Sequence, residues 1–277
     1  MKTFLAAALS FLALPTVSAA APAQTGYAPV NGLRLYYEVH GPANATQPPL
    51  VLLHGGGDTI ETSFGRILPL LARNRRVIAF EQQGYGHTAD IAERPFRFEQ
   101  SADDTAALLA HLKVDRADLL GFSNGGTIAL QVAIRYPRVV RKLIAVSTLV
   151  SREGADPGFW EFMKNARLEN MPSFLQEAYR KAAPQPENLR LFHDKAAQRM
   201  RDFQDIPVEK LRAIAAPTLV LIGDADVVRP EHAVALTRLL PQSRLAILPS
   251  TDHMAVLTRT DWVVPMIEEF LDAPAAK

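Results

Sequence analysis

A chain of 277 residues with no cysteine cannot rely on disulfides, thiol catalysis or thiolate metal sites. It is long enough to bury one sizeable core and carry an insertion. Its 30 basic and 29 acidic residues leave a net charge of +1 and are interspersed, which argues against a nucleic-acid or polyanion partner.

The N-terminus has the plan of a secretory signal peptide. Met1-Lys2 is a short basic start, Phe4 to Leu14 is apolar, and Val17 to Ala23 supplies small residues for cleavage. The apolar stretch is far shorter than the roughly 20 residues that span a bilayer, so residues 1–23 are expected to be removed, with no stable membrane anchor left. No cysteine follows, which excludes a lipoprotein. A periplasmic or secreted protein is expected, with a mature chain that begins between Ala20 and Gln24.

Val30-Asn31-Gly32-Leu33 signals a hairpin turn with strands on both sides. Leu50 to Leu53 reads as a strand and runs into His54-Gly55-Gly56-Gly57. Glycines there let a backbone N–H approach a substrate oxygen with no side chain in the way. A helix is expected around Phe64 to Ala72 and a strand from Arg76 to Phe80. Gly84-Tyr85-Gly86-His87-Thr88-Ala89 superficially fits a dinucleotide fingerprint. Glu93-Arg94-Pro95 follows where that fingerprint needs a continuing helix, so no such cofactor is expected. A helix starts at Ser101-Ala102-Asp103-Asp104 and runs to about Leu112.

Next comes the most informative segment. Gly121-Phe122-Ser123-Asn124-Gly125 lies between the apolar run 117–120 and a helical stretch, Gly126 to Ala133. Strand, Gly-x-Ser-x-Gly and helix together place a serine on a sharp, strained turn, its hydroxyl lifted clear of the sheet. Lys142 to Ser147 is another strand, and the alternation implies a parallel sheet with right-handed crossovers. From Ser151 to Ile214 no strand-like run occurs. Aromatic and apolar residues recur there at helix-like spacings, which predicts a cap of three or four short helices, with Phe159 and Trp160 facing the cleft. Pro217 to Ile222 is a buried strand ending in Gly223-Asp224-Ala225-Asp226, and Leu245 to Pro249 leads into Ser250-Thr251-Asp252-His253. A serine hydroxyl needs a base to take its proton and a third group to orient that base. A carboxylate and a histidine, each just past a strand's C-terminal end, fit that need. The seven histidines show no His-x-x-x-His spacing, so no metal is expected.

From about Leu33 to its end the chain resembles the α/β-hydrolase family, of the esterase-like serine type with a small helical cap. The resemblance is carried by 54–57, 121–125, 223–230 and 251–253, with Glu81 standing where Asp is commoner. It implies an α/β fold, with a mostly parallel eight-stranded sheet and helices on both faces. The core would comprise 24–150 and 215–277, with the cap, 151–214, inserted after strand 6. It also implies Ser123 as nucleophile, His253 as base and the N–H groups of Gly56 and Asn124 as oxyanion hole. Of the nearby acids Asp224, Asp226 and Asp252, the pattern Gly-x-x-Asp-x-x-x-Pro selects Asp226, between Gly223 and Pro230. The expected activity is cofactor-free hydrolysis of small carboxylic esters, including lactones or thioesters, through an acyl-enzyme. Carbon–carbon bond hydrolysis, amide cleavage and cofactor-free peroxidation use the same triad and stay open. A binding protein on this scaffold would typically have lost triad residues. His253 must be neutral to accept the serine proton, so activity is expected to fall below about pH 6–7. The oligomeric state is not legible.

Overall fold

The computed structural model describes residues 22–274, so the expected signal segment lies outside the described residues apart from Pro22 and Ala23. Eight strands form the sheet described there: β1 (Gln24–Val30), β2 (Leu33–His40), β3 (Leu50–Leu53), β4 (Val77–Phe80), β5 (Ala117–Phe122), β6 (Val140–Val146), β7 (Thr218–Gly223) and β8 (Ser243–Leu248). Their spatial order is β1-β2-β4-β3-β5-β6-β7-β8. Strands β1 and β2 are antiparallel to their neighbours, and the rest of the sheet is parallel. The β1–β2 turn uses φ of 48° at Asn31 and 83° at Gly32, the two positive values that an Asn-Gly hairpin supplies at low cost.

Every residue of β3, β4, β5 and β7 is buried. These strands are apolar apart from Asp118 in β5 and Thr218 in β7, because helices cover both faces. One face packs against α3 (Phe98–His111), α4 (Asn124–Arg135) and α9 (Pro230–Leu239), the other against α1 (Ile60–Phe64), α2 (Leu68–Leu71) and α10 (Thr260–Asp272). The single helix expected over 64–72 is instead the pair α1 and α2, divided at Gly65 with Pro69 in the first turn of α2. Helix α3 starts three residues earlier than expected.

Two features of this layout position the site. The chain passes from β3 out to β4 and returns on the other side of β3 to β5, so the topology reverses between β3 and β5. A crevice opens outside the strand ends at such a point. Leu53 pairs with Gly121, which brings the loop after β3 beside the loop after β5. The insertion between β6 and β7 carries α5 (Pro157–Lys164), α6 (Ser173–Ala182) and α7 (Leu189–Arg201), followed by α8 (Val208–Arg212). Phe203, Ile206, Leu211 and Ile214 are buried in the main core, so the covering part is α5 to α7, and the chain rejoins the core before 214. Tyr179 and Phe192 stack at 4.6 Å within a buried cluster that also holds Tyr85 and Phe96, and Lys195 pairs with Asp90 at 2.6 Å. These contacts tie α6 and α7 to the segment after β4.

Candidate active site

Ser123 stands between β5 and α4 with φ 54° and ψ −120°, a conformation that L-residues adopt only when their surroundings impose it. The flanking glycines are a steric necessity. A Cβ on Gly121 would lie 2.2 Å from the carbonyl oxygen of Gly125, and one on Gly125 would lie 1.9 Å from that of Leu53. The Ser123 N–H donates to Val146 O at 2.8 Å, which fixes the turn to the neighbouring strand.

The structure brings His253 and Asp226 to this serine. His253 Nε2 is 3.0 Å from Ser123 Oγ, and Nδ1 is 2.7 Å from Asp226 Oδ1. The Asp226 carboxylate is wholly buried and accepts two further hydrogen bonds, from Val228 N–H at 2.9 Å and from Ser147 Oγ–H at 2.6 Å. A carboxylate has no proton to give, so this network puts the imidazole proton on Nδ1 and turns a bare Nε2 towards the hydroxyl. Phe122, inside the turn motif, lays its ring 5.1 Å from that of His253. The other two acids are elsewhere. Asp224 is exposed and accepts from Thr251 N–H at 3.1 Å, and Asp252 is exposed and accepts from Ala255 N–H at 2.8 Å. Ser147 was not singled out by the sequence, because a serine at a strand end carries no motif.

The loop after β3 is held from behind. His54 is completely buried, its Nδ1–H donating to Gly55 O at 2.9 Å and its Nε2 accepting from Gln82 N–H at 3.1 Å. The Gly55 N–H is taken by Ser63 Oγ at 3.1 Å. The N–H groups of Gly56 and Asn124 have no acceptor among the described residues. The two residues are adjacent, since a Cβ on Gly56 would lie 2.4 Å from Asn124 Nδ2. Two free N–H donors beside a serine hydroxyl form a cradle for negative charge developing on an oxygen.

A cavity of about 230 Å³ opens at Ser123, Asn124, Gly56 and His253 and runs under the cap. Phe159, Phe162 and Met163 of α5, Met171, Leu175 of α6, and Phe192 and Met200 of α7 make its walls apolar. Arg167, exposed, is the only lysine, arginine or acidic residue among the described lining. A second space of about 20 Å³ lies against Ser123 and His253, closed by Leu149, Val227 and Val228. Phe159 and Met200 border both spaces. The expectation for Trp160 is corrected here. Its Nε1–H donates to Arg152 O at 2.6 Å, its ring lies 4.1 Å from the Arg152 guanidinium, and it is absent from the cavity wall. Trp160 points instead to the side of α5 that packs on Arg152 and Phe203.

The buried cation Arg199 of α7 was also missed. It donates to Tyr85 Oη at 2.7 Å and lies 5.1 Å from the Phe98 ring, with no carboxylate partner among the described residues. It joins cap to core through a hydrogen bond and aromatic faces.

Buried imidazoles give the fold an acid sensitivity. Burial pushes both His54 and His232 down to about 4. The unfolded chain therefore binds these protons as pH falls below about 6.5, while the folded chain refuses them until about 4. Their stabilisation is full above that window and drains through it, by at most about 3 kcal/mol each. Asp58 works in the opposite sense, because burial pushes its carboxyl up to about 6. A net loss of about 3 kcal/mol is expected between pH 6.5 and 4. Thermal melts at pH 7.5 and 4.5 check this, and His232→Gln should shrink the difference. An equal melting temperature at both pH values would contradict it.

Comparison with known proteins agrees with this fold. Residues 48–197, more than half of the chain, match the family of the alpha/beta hydrolase fold. A 2-hydroxy-6-oxo-2,4-heptadienoate hydrolase of Pseudomonas putida is 30% identical over 247 residues, covering 81% of this chain and 89% of that protein. A proline iminopeptidase of Clostridioides difficile is 24% identical, with 90% and 98% covered. The crystal structure of the enol-lactonase from Burkholderia xenovorans LB400 shares the fold, with a TM-score of 0.71, 22% identity, and 89% and 100% covered. The chain therefore belongs to the α/β-hydrolase fold family, and its chemistry is that of a hydrolase.

Proposed function

We propose that this hydrolase cleaves small, largely apolar carboxylic esters, lactones and thioesters included, through an acyl-enzyme. The observation that carries the reading is the chain of hydrogen bonds from Ser123 through His253 to buried Asp226 at the end of an apolar cavity. Ser123 Oγ attacks the ester carbonyl as His253 Nε2 takes its proton, and Asp226 stabilises the imidazolium. The N–H groups of Gly56 and Asn124 receive the oxyanion. His253 then hands its proton to the departing alcohol. Water attacks the acyl-enzyme, His253 takes a proton from it, and the acid leaves as Ser123 recovers its hydrogen. A cavity of about 230 Å³ is small for a ligand site, which supports small substrates. The space of about 20 Å³ has room for one water or a methyl-sized group.

A second reading, carbon–carbon bond hydrolysis, draws support from the relative that acts on a heptadienoate. A dienoate carries a carboxylate, and Arg167 at the cavity wall is the only lysine or arginine there to meet it. The deciding experiment compares turnover of p-nitrophenyl acetate and butyrate with that of a carboxylate-bearing dienone. Ester cleavage with no dienone cleavage supports the first reading, and the converse supports the second. We also propose that the chain is exported. N-terminal sequencing of the native protein should begin between Ala20 and Gln24, and an intact Met1 would refute it.

The wall residues set acyl selectivity. Phe159→Ala is expected to shift the ratio of kcat/KM between octanoate and acetate esters by about tenfold. Trp160→Ala should leave that ratio unchanged and lower the melting temperature instead, since its ring packs on Arg152 and Phe203. If both variants keep the wild-type chain-length profile, Phe159 is packing alone.

A further inference from the structure

Asp58 is a buried carboxylate that the reaction above does not use. It is 4% exposed and no lysine or arginine pairs with it among the described residues. It follows the triple glycine directly and closes the loop that carries Gly56. Its Oδ1 accepts from Thr62 Oγ–H at 2.9 Å, and the neighbouring Ser63 hydroxyl eases the burial of its charge. The same Ser63 oxygen accepts the Gly55 N–H at 3.1 Å. Asp58 Oδ2 fills the place of a side chain at Gly55, where a Cβ would lie 2.4 Å from it. The carboxylate thus packs on Gly55 and bonds the Thr62 hydroxyl of α1, beside the Ser63 hydroxyl that holds the Gly55 N–H.

Helix capping does not explain this arrangement. Thr59 is the N-cap of α1 and closes its own capping box with Thr62, through Thr62 N–H to Thr59 Oγ1 at 3.2 Å and Thr59 N–H to Thr62 Oγ1 at 2.8 Å. A run of three glycines, by contrast, has no side chains with which to hold its own conformation. Burying an uncompensated carboxylate is costly, and it pushes this carboxyl up to about 6.

We propose that Asp58 is a positioning residue for the oxyanion cradle. Packed against Gly55 and set beside Ser63, which accepts the Gly55 N–H, it fixes the loop so that the Gly56 N–H faces the substrate oxygen. This inference rests on the serine-hydrolase reading above.

The test uses the full chain with Asp58→Ala, Asp58→Asn and Ser63→Ala, and measures kcat and KM on p-nitrophenyl butyrate, melting temperature, and labelling by a fluorophosphonate probe. Asp58→Ala is expected to lower kcat about 100-fold with KM within about threefold, because the lost alignment matters only when charge develops on the oxygen. Asp58→Asn keeps an acceptor for Thr62 and a polar contact to Ser63, so its kcat should stay within about tenfold of wild type. Ser63→Ala should lower kcat about tenfold at unchanged KM, and it carries the test if Asp58→Ala does not fold. Three results would overturn the proposal: kcat within about threefold of wild type in both Asp58→Ala and Ser63→Ala, equal losses in Asp58→Ala and Asp58→Asn, or a raised KM at unchanged kcat. A purely structural role would lower the melting temperature and leave kcat of the folded enzyme intact. If wild type takes up the probe and turns over ester while the variants match it, only this inference fails. If wild type does neither, the ester reading fails with it.

Discussion

Ser123→Ala is expected to reduce kcat on p-nitrophenyl butyrate by about 10⁴–10⁶-fold while the protein stays folded. The loss follows from chemistry, since among the described residues no other hydroxyl is both hydrogen-bonded to His253 Nε2 and beside the two free N–H groups of Gly56 and Asn124. The fold survives because the turn is built from backbone contacts, among them Ser123 N–H to Val146 O at 2.8 Å and the close approach of Gly125 to Leu53. A companion variant separates strain from chemistry. The φ of 54° at position 123 costs a non-glycine residue about 1 kcal/mol or more. Ser123→Gly should therefore be as inactive as Ser123→Ala and melt a few degrees higher. Near-wild-type turnover by Ser123→Ala would remove this serine from the mechanism.

The second large effect is expected at the acid. Asp226 accepts from three donors at once: His253 Nδ1–H, Val228 N–H and Ser147 Oγ–H. An asparagine has one acceptor oxygen, so at least one donor would face an NH₂ group. If that donor is the imidazole, its proton moves to Nε2 and the base is lost. Asp226→Asn is expected to lower kcat by about 10³–10⁴-fold. Asp224→Asn should stay within about threefold of wild type, because its side chain is exposed and an amide oxygen still accepts the Thr251 N–H. Measured kcat values for the two variants, with the melting temperature of each, settle the ranking. The reverse order would move the acid to Asp224.

Much of the site is legible in the chain because its constraints are local. Glycine is required at 121 and 125 by backbone atoms within the same strand, turn and helix or on the adjoining strand, so the need appears as a five-residue pattern. The choice of Asp226 over Asp224 came with the family resemblance, whose pattern runs from Gly223 to Pro230, where α9 begins. Parallel strands alternating with helices were readable from apolar runs, since burial on both faces leaves few polar positions.

Other features depend on the tertiary fold. Ser147 and Asp226 are 79 residues apart and meet only because β6 and β7 are neighbours in the sheet. Whether Phe159 or Trp160 faces the cavity turns on the rotational phase of α5, which is set by what that helix packs against. Asp58 follows a glycine run whose sequence announces close approach of the backbone, but nothing in the sequence says which hydroxyls will hold it. The stretch 203–214 reads like the rest of the insertion, yet its apolar side chains find the main core. The sequence by itself determined the backbone geometry of the serine turn and the order of the strands' chemistry, because sterics act between neighbours along the chain. Only the tertiary structure decided which side chains complete the hydrogen-bond network, since those partners come together by sheet order and helix packing rather than by spacing.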